Sequence, residues 1–147
     1  MTRPELIDAL IEKQKAIIEN LESSVERYQT ASDIDEQETR EPEDFSRQTE
    51  AKDMQLRFEK LLREAKLTVH FLEEQKHQPH DQIEKGALVE TSGDWYFLGA
   101  SIPSTETNKT TIISVSDQAP VYQEFTSKKV GDRLQVGQQS LEIIRII

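Results

Sequence analysis

All 5 glycines of this 147-residue chain fall at Gly86 or later. The first 80 residues hold none, and they carry 12 of the 18 basic and 19 of the 28 acidic side chains. A charge-rich stretch without glycine suits long helices, whereas Gly with Val, Ile, Thr and aromatics suits strands and turns. The change of character falls at His77-Gln78-Pro79-His80-Asp81, which reads as a linker. The chain is therefore expected to be α+β, with a helical part at 1–78 and a sheet part at 82–147.

Thr2-Arg3-Pro4-Glu5 opens the first helix. Thr2 caps the first turn, Glu5 completes a capping box, and Pro4 is tolerated where no intrahelical N–H is needed. Ile7, Ile11, Gln14, Ile18, Leu21, Val25 and Tyr28 then recur by fours and threes, a heptad seam with one polar break at Gln14. Ala51, Met54, Phe58, Leu61, Ala65, Thr68 and Leu72 repeat the pattern, supported by Leu62 and Val69. Each stripe needs a partner and the nearest is in the same chain, so an antiparallel coiled-coil hairpin and a monomer are expected. Pairing of the seams between two chains is the alternative. A first helix of ~27 residues would reach ~40 Å at ~1.5 Å per residue.

The second part alternates apolar and polar residues between turn signals. Five short strands are expected, at 86–91, 95–100, 110–115, 133–136 and 141–147, as a small antiparallel sheet with one short helix within 119–125. The absence of Cys excludes disulfides and thiolate sites. No run approaches the ~18 apolar residues of a membrane span, and no signal peptide is visible, so a cytoplasmic location is expected. A formal net charge of −10 opposes direct binding to a phosphate backbone and favours a basic protein or a cation.

The densest chemistry lies near 31–46, where Asp33, Asp35, Glu36, Glu38, Glu41, Glu43 and Asp44 face one Arg40. Like charges so close repel, and folding alone does not ask for them. Oxygen donors at this spacing suit a hard cation such as Mg²⁺; a solvated acidic loop is the plainer explanation. His70, His77 and His80 lack the spacing of a helical zinc site and read as exposed helix-end residues. Trp95, Tyr96, Phe97, Tyr122 and Phe125 either line a pocket or, more commonly, fill the core of a small sheet.

Ile113-Ser114-Val115-Ser116-Asp117-Gln118-Ala119-Pro120, then Lys128-Lys129-Val130-Gly131-Asp132 and a final strand Leu141–Ile146, resembles the C-terminal domain of the Gre transcript-cleavage factors. Ala119, Phe125 and Ser127 depart from that family's usual residues. A helical hairpin followed by a small sheet is also the Gre layout, so the resemblance spans essentially the whole chain. It implies a C-terminal domain of FK506-binding-protein-like type docked on RNA polymerase, with Pro120, Tyr122 and Phe125 as candidate docking residues. It also implies a hairpin inserted in the polymerase secondary channel. There Asp33 and Glu36, aligned with the family's tip acids and supported by Asp35 and Glu38, would share a Mg²⁺ and promote cleavage of backtracked RNA. The factor would assist the polymerase's own cleavage rather than be an enzyme, and would meet nucleic acid only through the polymerase. The family's tip aromatic has no counterpart at Arg40, and the acidic run continues to Asp44. The same architecture could thus act as a polymerase inhibitor. Two further readings stand: a coiled-coil adaptor or chaperone-like protein whose Ile18 and Leu61 grip clients, and a prolyl isomerase needing an open aromatic pocket.

Overall fold

The structure, a computed structural model, describes residues 1–33 and 42–147. It is α+β: helices α1 (Arg3–Ser32) and α2 (Pro42–Gln75) precede a six-stranded sheet interrupted by a short α3 (Tyr122–Phe125). The chain packs as two compact units. One is Gln14–Val69; the other combines Met1–Lys13 with His70–Ile147.

The capping box at the start of α1 is present. The Thr2 N–H donates to Glu5 Oε2 at 3.2 Å, and the Glu5 N–H donates back to Thr2 Oγ1 at 3.4 Å. Pro42 opens α2, where its fixed φ is preorganised for a helix and its missing N–H costs nothing.

Within Gln14–Val69 the two helices run antiparallel. Gln14 meets Ala65, the rings of Tyr28 and Phe58 stack at 5.4 Å, and Ser32 meets Gln55. The α1 seam lies where the heptads put it, and in α2 Ala51, Met54, Phe58, Ala65 and Thr68 are at least half-buried as expected, with Leu61 the exception. Gln55, Ala65 and Val69 are buried and Phe58 and Leu62 half-buried, whereas Leu61 is 42% exposed. This row keeps the alternation of fours and threes and runs one residue later over 55, 62 and 69. Hydrophobicity could not separate Leu61 from Leu62; only the facing helix does. Gln14 remains the polar break. Its Nε2 reaches the Ala65 carbonyl at a long 3.4 Å, and its buried Oε1 has no partner. A buried acceptor without a donor is costly. Gln14→Leu is therefore expected to raise stability by about 1 kcal/mol, read as a higher denaturant midpoint at unchanged slope.

In the other unit the strands are β1 (Leu88–Thr91), β2 (Trp95–Leu98), β3 (Thr105–Thr107), β4 (Thr110–Val115), β5 (Arg133–Val136) and β6 (Gln139–Ile146). Their order is β3-β4-β2-β1-β6-β5. The sheet is mixed, which corrects the expected five-stranded antiparallel arrangement. β2 and β4 pair in parallel, with Trp95 opposite Ile112 and Leu98 opposite Val115. The cause is β3, a strand without a glycine turn signal. It reverses into β4 through Asn108 and Lys109, both at positive φ (44° and 62°), the backbone of a two-residue hairpin turn. With β3 on the outer edge, β4 enters beside β2 in the same direction.

Alternation along the strands, with a bulge in β6 between Ile143 and Arg145, sends Val89, Tyr96, Leu98, Val115, Ile143 and Ile146 to one face, where Phe125 of α3 joins them. Phe97 points to the opposite face and meets Phe71 of α2, ring centroids 6.0 Å apart. Leu6, Ile7 and Leu10 of α1 and Leu72 of α2 are fully buried.

Candidate functional site

The acidic segment joins the end of α1 to the start of α2. Ser32, the last residue of α1, is buried. Its Oγ donates to the Gln29 carbonyl at 2.9 Å and lies 3.2 Å from Gln55 Oε1, and its own carbonyl accepts from Gln48 Nε2 at 2.8 Å. These bonds anchor the last turn of α1 to α2, so the residue that follows has a defined position. That residue is Asp33, which is exposed, its N–H closing on the Gln29 carbonyl at 3.0 Å.

Local electrostatics divides the acids into two groups. Glu43 and Asp44 occupy the first turn of α2, the positive end of that helix, where a carboxylate is stabilised. They have a sufficient folding reason. Asp33 has none. It sits at the negative end of α1, whose last turn has no basic residue, and no cation among the described residues pairs with it. Asp35, Glu36, Glu38 and Glu41, along with Arg40, lie outside the described residues. Among the described residues no three His, Asp or Glu side chains converge as a metal site. Asp33 offers one hard oxygen donor of the kind Mg²⁺ takes.

The candidate docking residues separate. Pro120 is exposed and Tyr122 half-buried, just before and at the start of α3. Phe125 is fully buried, its ring 5.2 Å from that of Tyr96. It belongs to the core and is withdrawn as a surface contact, because a four-residue helix can present only one side to solvent. Trp95, Tyr96 and Phe97 are buried as well and belong to the core. Burial, with Asp94 adding to it, pushes the Tyr96 phenol up. A cleft of about 380 Å³ in the same unit is walled by Asp81, Gln82, Lys128, Lys129, Val130 and Ile146, with no aromatic among them.

The histidines differ from one another. His70 is exposed and pairs with Glu74 across one helical turn at 2.9 Å. The His80 side chain is only 10% exposed and has a partner at each ring nitrogen, which corrects its reading as an exposed residue. Arg3 was also not legible as special. Its guanidinium, buried at the start of α1, donates to the carbonyls of Gln75, Gly86 and Ile147 and to Gln75 Oε1. These partners are 72, 83 and 144 positions away, so no local pattern announces them.

Comparison with known protein families, curated proteins and solved structures finds no match for this chain. No helix among the described residues is long and apolar enough to cross a membrane.

Proposed function

We propose that the protein is a Gre-like transcription elongation factor that binds RNA polymerase and acts through the acidic segment between its two long helices. The observation that carries this reading is Asp33. An exposed carboxylate is held by an anchored turn at the pole of α1 that disfavours it, and the next residues continue the negative charge. Such a placement costs folding free energy, which is expected of a group selected for what it meets. The order of elements, helix pair first and sheet second, and the Ile113–Asp132 motif support the same assignment.

In this reading the sheet with α3 is a domain of FK506-binding-protein-like type, and Pro120 and Tyr122 contact the polymerase. Asp33 and Glu36, with Asp35 and Glu38 in support, face the catalytic centre of the polymerase inside its secondary channel. A Mg²⁺ shared there would polarise the scissile phosphate and lower the pKa of an attacking water. This chain would contribute carboxylate oxygens and their orientation, and the polymerase the remaining ligands and the reaction.

The test uses stalled, backtracked elongation complexes with the full chain added. Wild type is expected to copurify with polymerase and to release short 3′ RNA fragments in Mg²⁺. Asp33→Ala with Glu36→Ala is expected to lower cleavage by ~100-fold or more, the loss of one metal-assisted step, with binding retained. No copurification with polymerase would remove the assignment. Binding that slows synthesis without producing fragments would make the protein an inhibitor of the same architecture.

A further inference from the structure

Two side chains close the segment between α2 and β1: Arg3 joins Gln75 to Gly86, and His80 joins Gln75 to Glu84. His80 Nδ1 lies 2.6 Å from Glu84 Oε1, and Nε2 lies 2.7 Å from Gln75 Oε1. Both neighbours accept. Glu84 is a carboxylate, and the orientation of the Gln75 amide is set independently. Its Oε1 takes a hydrogen bond from Arg3 Nη2 at 3.1 Å, and its Nε2 donates to Gln78 Oε1 at 3.0 Å. An arginine only donates, so the Gln75 oxygen cannot be exchanged for its nitrogen. A neutral imidazole has one N–H and one lone pair, and cannot donate at both positions.

We propose that His80 is a proton-operated latch on this segment: with a proton on each ring nitrogen it ties Glu84 to Gln75 at the end of α2, and loss of the Nδ1 proton releases Glu84. The site decides which bond opens. Gln75 is buried and fixed by Arg3, so Nε2 keeps its proton and its partner. Glu84 is 43% exposed and can turn to water when Nδ1 presents a lone pair. From α1, Arg3 reaches the ring through the shared Gln75 oxygen, and two cations at one oxygen repel. Gly86 completes the device: its φ of 98° and the Gln75 carboxamide against it leave no room for a Cβ.

The His80 hydrogen bond, followed by that from Gln82, holds the Glu84 carboxyl below its ordinary value. A depressed carboxylate stabilises the fold above its unfolded value and loses that contribution as pH falls through the folded one. The latch therefore closes only in a window, opened at its acid limit by protonation of Glu84 and at its alkaline limit by loss of the His80 proton. It does not depend on the proposed function.

The Ala87 N–H donates to the Glu84 carbonyl at 3.0 Å, so its exchange reports on the segment. The experiment follows the full chain, uniformly labelled with ¹⁵N, from about pH 5 to about pH 9. It records His80 ring protonation beside Ala87 amide exchange corrected for intrinsic rates. As His80 loses its proton, exchange at Ala87 is expected to rise about two- to fivefold, the scale of a half-exposed ion pair. In Glu84→Gln the amide pairs with either form of the ring, so exchange is expected to stay flat through the titration. In Glu84→Ala it is expected to be fast at every pH. Flat exchange in wild type while His80 titrates, or an undiminished rise in Glu84→Gln, would overturn the latch.

Discussion

Phe125→Ala is expected to destabilise the protein by about 3–5 kcal/mol, the cost of emptying a buried aromatic site. A helix of four residues has no stability of its own, so α3 keeps its place only through what it buries. Phe125 is its one fully buried residue, tilted against Tyr96 within the core on that face of the sheet. Chemical denaturation measures the loss, and Tyr96 gives a second signal. Its phenol ionises later in the folded chain than in the unfolded one. Stability should therefore fall as pH rises past the ordinary phenol value of 10.0. Water admitted by Phe125→Ala should shrink that alkaline loss. Tyr122→Ala, at a half-buried position, should cost far less and leave the Tyr96 titration unchanged.

Arg3→Ala is expected to cost about 2–4 kcal/mol, because it strips a charged donor from three carbonyls at once; those of Gln75 and Ile147 keep the backbone N–H groups of Gln78 and Leu88, whereas that of Gly86 has no other described donor. Nε meets the Gln75 carbonyl at 2.9 Å, Nη1 that of Ile147 at 2.9 Å, and Nη2 that of Gly86 at 2.7 Å. Gln75 ends α2, and the last turn of that helix contains no basic residue. Arg3 brings to its negative pole the cation its own sequence lacks. Burial lowers the guanidinium to about 10, so it stays charged at neutral pH. Arg3→Lys separates charge from shape. One ammonium on a flexible stem cannot reproduce a planar fork aimed at separate carbonyls, so lysine should recover less than half of the loss. Recovery of nearly all of it would mean that charge alone matters at this position.

The two variants also mark where sequence reasoning ends. Phe125 and Tyr122 are both aromatic and three positions apart, and nothing in their spacing separates a core residue from a surface one. Only contact with Tyr96 identifies Phe125 as core. Leu61 and Leu62 are adjacent and chemically identical, and the facing helix alone half-buries the second and leaves the first in water. β3 carries no glycine signal because its turn uses Asn108 and Lys109 at positive φ, and the parallel pairing of β2 with β4 depends on β3. For the candidate site, the acidic run was visible as composition. That Asp33 occupies the wrong pole of a helix, while Glu43 and Asp44 occupy the right one, required the helix ends.

What the chain determined by itself is its element content: two long helices with a capped start at Thr2–Glu5, then short strands after Gly86. Capping, heptad spacing and strand alternation act between residues a few positions apart, so they are written in order along the sequence. What only the tertiary structure decided is which of these residues are shared with distant parts of the chain. Arg3, His80 and Phe125 each take their role from neighbours brought by the fold. The desolvation and hydrogen bonding that set a buried group's role depend on those neighbours and have no counterpart in local spacing.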